Sequence, residues 1–157
     1  MADLVNAASK DDYETARALF VEYAESLGTD LGFQGFAQEL ERLPQIYGPP
    51  TGALILARSS QGVVGCVGVR SFSAQTCEMK RLFVRDSARG IGLGRELAMA
   101  AVDAARRLGY QRMVLDTLEH MSAAQAMYTS IGFYEIPPYY FNPLPGVRYM
   151  ALDLVTA

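Results

Sequence analysis

Between residues 53 and 84 the chain carries three short apolar or alternating runs, ALILAR (53–58), VVGCVGVR (63–70) and CEMKRLFV (77–84). The gaps between them, SSQG and SFSAQT, hold four and six residues. A parallel crossover needs a dozen or more, so the runs read as antiparallel neighbours in a meander. The next elements join differently. After RGIGLG (89–94), the residues Leu93, Leu97, Ala101, Ala104 and Leu108 fall on one helical face that Gly109 ends, and RMVLDT (112–117) reads as another strand. A strand, a helix and a strand make one parallel pair. The layout therefore predicts an α/β fold: a mixed, mostly antiparallel sheet with one parallel pair and helices on both faces.

The remaining elements fit around that sheet. Tyr13, Ala16, Phe20, Tyr23 and Leu27 step by three and four, with Ser9 placed to cap the helix and Gly28 to stop it. A second, shorter helix is predicted over 34–47 and a third over 122–130, with strands around IGFYEI (131–136) and RYMALDL (148–154). With 157 residues, half of them hydrophobic, one domain over 1–157 can bury a core without a staple.

Composition narrows the function. Seventeen acidic against fourteen basic residues give a net charge of −3, which argues against a nucleic-acid-binding surface. The N-terminal stretch has no basic segment followed by a long apolar run, and nowhere do eighteen apolar residues stand together, so neither a membrane nor an export signal is expected. Cys66 and Cys77 lie in strand-like segments, without CxxC spacing or a histidine cluster that would suggest a metal. They read as buried free thiols of a reducing cytoplasm.

The glycine turn carries the first chemistry. Gly90, Gly92 and Gly94 follow a strand and open a helix, where unpaired amides converge and the helix dipole favours an anion such as a phosphate. Arg85, Arg89 and Arg95 are near enough in sequence to add charge. The plain alternative is a tight turn that only needs positive φ. A Walker A loop is unmet, because Gly94 is followed by Arg95 and Glu96 rather than by Lys and Ser or Thr. A dinucleotide fingerprint needs its third glycine at position 95 and fits poorly.

Two motifs together resemble the GNAT superfamily of acetyl-CoA-dependent N-acetyltransferases. Arg89, Gly92 and Gly94 meet its Arg/Gln-x-x-Gly-x-Gly/Ala signature, and Ala124, Tyr128, Gly132 and Phe133 meet its later Ala-x-x-x-Tyr-x-x-x-Gly-Phe pattern. The resemblance implies acetyl-CoA as co-substrate, with the amides of Ile91, Gly92, Leu93, Gly94 and Arg95 on its pyrophosphate beside Arg89 and Gly90. It also implies that the strand ending in Leu82, Phe83 and Val84 splays from the strand at 112–117 and pairs with the pantetheine arm. Many relatives have asparagine seven residues before the tyrosine, where this chain has Met121.

Acetyl transfer to an amine needs a neutral nucleophile, a donor for the developing oxyanion and a proton for the thiolate. The resemblance makes Tyr128 the acid, against packing in the core as its plain reading. It makes Glu78 a base, with a backbone amide near Phe83 or Val84 as the oxyanion donor. Alternation sets Glu78, Lys80, Leu82 and Val84 on one face and Met79, Arg81 and Phe83 on the other, so Glu78 and Lys80 alternatively pair at the solvent face. His120, the only histidine, is a minor alternative base beside Glu119 in the loop after a strand.

For the acceptor, Glu78 and Glu119 are candidate contacts, and Tyr139, Tyr140 and Phe141 between prolines are candidates to wall a pocket, or else to cover the sheet edge or form a homodimer contact. The glycine-rich, aromatic stretch 27–36 is a second candidate, and Arg148 or Arg70 a candidate for an acceptor carboxylate. The expected acceptor is a primary amine on a small molecule, acetylated by direct attack in a ternary complex. A protein or peptide acceptor and a non-catalytic acyl-CoA sensor are the alternatives.

Overall fold

The computed structural model describes residues 2–28 and 30–155. Residues 1, 29, 156 and 157 of the expected domain lie outside it, as does the Phe33 side chain of the 27–36 stretch. Seven strands form one sheet: β1 (Asp3–Asn6), β2 (Ala53–Ser59), β3 (Gly62–Ser71), β4 (Thr76–Val84), β5 (Arg112–Thr117), β6 (Tyr134–Ile136) and β7 (Arg148–Asp153), in the order β1-β2-β3-β4-β5-β7-β6. The meander β2-β3-β4 is antiparallel, and β4-β5 is the parallel pair. Strand β1, too short to stand out in the sequence, adds an antiparallel edge to β2.

Helices cover both faces. On one side lie α1 (Lys10–Leu27), α2 (Phe36–Glu41) and α3 (Leu43–Tyr47); on the other lie α4 (Leu93–Arg107) and α5 (Ser122–Ile131). Helix α1 starts in a capping box, in which the Ser9 side chain accepts from Asp12 N and the Asp12 carboxylate accepts from Ser9 N. The single helix predicted over 34–47 is instead a 3-10 turn (Gly32–Gln34) followed by α2 and α3. Pro44 explains the break: it has no amide for a continuing helix and is tolerated only in the first turn of a new one. Among the described residues, no helix is long and apolar enough to cross a membrane.

One irregularity in β4 sets the site. Opposite β3 the register runs Cys66↔Phe83 and then Gly68↔Lys80, so that Val67 faces both Arg81 and Leu82. This is a β-bulge, and Arg81 sits in it at φ 60°. The bulge reverses the alternation expected from sequence. Cys77 and Met79 face α4, as do Leu82 and Val84 beyond the bulge, while Phe83 joins the core under α1. Arg81 turns to the α1 side, its guanidinium 5.1 Å from the Phe36 ring centroid. Glu78 and Lys80 are buried rather than on a solvent face, at 7% exposure each.

Candidate functional site

The β4-β5 ladder holds three registered pairs, Thr76↔Arg112, Cys77↔Met113 and Glu78↔Val114, and then stops, while β5 stays paired with β7 through Thr117. Beyond Glu78 the two parallel strands part. A cavity of about 570 Å³ opens between them, lined by Met79, Leu82, Val84 and Leu115 along the cleft and by Arg89, Gly90, Gly92, Leu93, Gly94 and Arg95 at the glycine turn.

That turn leaves its donors free. Gly90 and Gly92 take φ of 85° and 81°, a region that costs any residue with a Cβ, and Gly92 caps α4 without a side-chain partner. The first amide to bond back into the helix is Glu96 N, to Gly92 O at 3.1 Å. Among the described residues the amides of 91–95 donate to no protein acceptor. The Arg89 guanidinium is anchored by Val84 O at 3.0 Å and by Asp86 at 2.8 Å, and Arg95 donates to Ser130 Oγ at 2.5 Å. Arg85 contributes nothing here, being held by Glu22 and by Val63 O on the far side of β4.

The edge of β4 that faces the cleft is also available. Arg85 N donates to Val64 O at 2.8 Å, which makes Cys66↔Phe83 a hydrogen-bonded pair and Gly65↔Val84 a non-bonded one. The Phe83 amide is thus used by β3, and the Val84 amide points to the cleft. Tyr128, on α5, lines the cavity. Its ring packs on Phe133 with centroids 5.7 Å apart, and its hydroxyl has no hydrogen-bond partner among the described residues. Burial pushes its pKa up, so it stays protonated. Met121 occupies the N-cap of α5, with Sδ 3.9 Å from the Thr117 hydroxyl, and lines the cavity as well.

Away from the glycine turn the lining becomes polar: Gln34, Lys80, Arg81, Asp116 and Asn142, with Tyr23, Leu31 and Leu144 between them. Arg81 is fully engaged. Its Nε and Nη2 donate to Glu39 at 3.0 and 2.8 Å, and Nη1 donates to Gln34 Oε1 at 2.7 Å. Gln34 Nε2 donates to the Tyr140 hydroxyl at 2.8 Å, which in turn donates to Asp116 Oδ2. Asn142 Nδ2 donates to the same oxygen at 2.9 Å.

Apart from the 27–36 stretch, which gives Leu27, Leu31 and Gln34 to the lining, the remaining sequence candidates lie outside it. Glu78 is behind it, accepting from Tyr139 at 2.6 Å, and Tyr139 and Tyr140 form an aromatic layer with Tyr149 and Phe72. Burial first, and the neighbouring carboxylates of Glu78 and Asp116 next, push both tyrosines up, which keeps them donors. Ile91 is exposed, and so are Glu119, which packs against Gly146, and His120. Arg148 pairs with Glu135 and Gln125; neither it nor Arg70 lines the cavity. Asp116 and Asn142 line the polar end of the cavity without having been singled out in the sequence, whereas Gln34, with Leu27 and Leu31, comes from the 27–36 stretch that was. Of these, Asp116 carries a readable signal, since it lies near the carboxyl end of the strand after the glycine-turn helix.

Cys66 and Cys77 are free and buried, with burial pushing the Cys77 thiol up to about 12.

Residues 14–133 match the family model described as the acetyltransferase (GNAT) family. An uncharacterized N-acetyltransferase of Schizosaccharomyces pombe is 42% identical over 145 residues, covering 91% of this chain and 89% of that protein. A GNAT-family acetyltransferase of Staphylococcus aureus superposes with a TM-score of 0.79 at 20% identity, over 99% of this chain and 100% of the other. YncA from Salmonella typhimurium, solved with its cofactor acetyl-CoA, superposes with a TM-score of 0.71 at 19% identity, over 100% and 96%.

Proposed function

Since the chain belongs to the GNAT acetyltransferase family and is an N-acetyltransferase working with acetyl-CoA, we propose that it acetylates the primary amine of a small molecule by direct attack in a ternary complex. The observation that carries this reading is the set of unused main-chain donors at 91–95, opening at the positive end of α4 into the cleft between two parting strands. A diphosphate with a long thioester arm fits such a slot: anion donors at one end, an apolar channel lined by Met79, Leu82, Val84 and Leu115 beyond. The co-substrate supplies an acetyl group activated as a thioester.

The chain's own groups divide the work. The amine nitrogen bonds to the acetyl carbon, and the carbon–sulfur bond breaks. Asp116 lines the cavity and its Oδ1 has no protein donor among the described residues; that oxygen takes the amine's proton directly or through water. The Val84 amide faces the developing oxyanion, and Tyr128 gives its proton to the departing sulfur. Glu78 is the weaker choice of base, because Tyr139 already donates to it and it stands behind the cavity wall. The polar end of the cavity is backed by the Tyr139–Tyr140 layer, which favours a small acceptor over a peptide.

Titration calorimetry with CoA, acetyl-CoA and NAD, followed by a screen of amines for CoA release, tests the reading. Micromolar binding of CoA and acetyl-CoA without NAD binding, and release with small amines in preference to peptides, is the expected result. Binding of NAD but not CoA, or release with peptides alone, overturns it.

A further inference from the structure

Resting on that reading, we infer that the acceptor is a small aminocarboxylate, its carboxylate docked on the Lys80 ammonium and its amino group on Asp116. Lys80 lines the cavity and is almost wholly buried. An ammonium has three protons to donate, yet no acceptor lies within hydrogen-bond reach of Nζ among the described residues. The nearest charge is Glu78 Oε2 at 3.9 Å, and that oxygen already accepts from Tyr139 at 2.6 Å. Burying a cation with so little compensation is unfavourable unless an anion completes the site.

No neighbouring cation substitutes for Lys80. Arg81 is consumed by Glu39 and Gln34. Arg89 and Arg95 belong to the glycine turn; Lys80 lies opposite Gly68 and Val84 opposite Gly65, three residues or roughly 10 Å along β3, which sets Lys80 away from where a diphosphate would bind.

Asp116 supplies the opposite half. Its Oδ2 takes both Tyr140 and Asn142, and Oδ1 takes no protein donor among the described residues. Asp116 and Lys80 form no ion pair with one another, although each faces the cavity and the Asp116 charge acts on Lys80. A cation short of acceptors and a carboxylate oxygen short of a donor, in one cavity but not in contact, match a ligand carrying both charges. Tyr23, Leu31 and Leu144 line the same end and suit an apolar side chain. Burial also lowers the pKa of Lys80, as expected of a site whose anion arrives with the ligand.

The test uses L-leucine, L-methionine and L-phenylalanine, each beside its primary amide and its decarboxylated amine, titrated calorimetrically into the CoA-loaded protein and, in separate reactions supplied with acetyl-CoA, assayed for CoA release. At least one free amino acid is expected to bind tenfold or more tightly than its amide and amine. Lys80→Met and Lys80→Gln should erase that preference, and Lys80→Arg should restore most of it. Equal binding of acid, amide and amine by the unmodified protein, no binding of any of them, or a preference that survives both Lys80→Met and Lys80→Gln overturns the inference. Amines acetylated without regard to a carboxylate sink this inference and leave acetyl transfer standing. Carboxylate-dependent binding without CoA release overturns the acceptor role, leaving Lys80 and Asp116 only as a binding site for an aminocarboxylate.

Discussion

The Tyr139 hydroxyl donates to Glu78 Oε2 at 2.6 Å, and the same oxygen lies 3.9 Å from Lys80 Nζ. Glu78 is therefore placed to hold Lys80 charged rather than to meet an acceptor, because burial lowers Lys80 and Glu78 opposes the shift. Replacing Glu78 with glutamine removes that opposition, so Lys80 loses its proton at lower pH than in the parent protein. For an aminocarboxylate acceptor, Glu78→Gln should raise KM by about tenfold, or ~1.4 kcal/mol, with the defect growing as pH rises from about 7 to about 9. A general base predicts the opposite signature, a loss of rate greatest at low pH. Steady-state kinetics across that range decide between them.

Tyr128→Phe removes a hydroxyl that makes no protein hydrogen bond among the described residues and leaves the ring against Phe133. Folding should be nearly unchanged. Turnover should fall by about 10²-fold or more, the usual contribution of a positioned acid, while the Kd for CoA moves less than about twofold. Since burial pushes Tyr128 up, its loss should remove no limb of the pH–rate profile near neutrality. Unchanged turnover would take Tyr128 out of the mechanism.

The meander, the one parallel pair and the glycine turn were legible because local patterns dictate them: gaps too short for a crossover force the meander, and glycines at 90 and 92 mark positive φ. The β4 bulge was not. Nothing in CEMKRLFV marks Arg81 for a left-handed conformation, and the reason lies in Glu39, forty-two positions earlier, which holds the guanidinium through two hydrogen bonds. Reading period two straight through Arg81 put Leu82 and Val84 on the wrong face. Lys80 looked like a solvent-face residue because the cover over that face comes from distant chain, Tyr139 reaching its neighbour Glu78 from sixty-one positions later. Asp116 was visible as a strand end, but its partners Tyr140 and Asn142 come from a loop whose return depends on β7 pairing with β5.

Gly92→Ala tests the turn. Nothing crowds a Cβ there, so the penalty comes from φ 81° alone, ~1–2 kcal/mol for a left-handed non-glycine residue. Urea denaturation should show that loss of stability. If the turn relaxes to relieve it, the amides of 91–95 diverge, and CoA should bind about tenfold more weakly by calorimetry. A full loss of stability with unaltered CoA affinity would mean that the amides of this turn do not hold the cofactor.

Glu39→Gln tests the bulge. Both side chains of the Arg81–Glu39 pair are 2% exposed, and Tyr47 donates to the same carboxylate at 2.9 Å. Burial by itself would raise the Glu39 carboxyl, but the Arg81 hydrogen bonds and charge outweigh it and hold the pKa below the usual value. A carboxylate depressed in the folded state contributes stability above its unfolded pKa, about 4.3, and loses it as pH falls through the folded value. The parent protein should therefore lose stability steadily on acidification below about pH 4.3. Glu39→Gln leaves Arg81 buried without its counter-charge, which should cost ~3–5 kcal/mol at neutral pH and flatten that part of the acid slope. Denaturant midpoints measured from neutral to acid pH give both quantities. Because Arg81 also holds Gln34, and Gln34 holds Tyr140 beside Asp116, the variant should bind acceptor more weakly even where it remains folded.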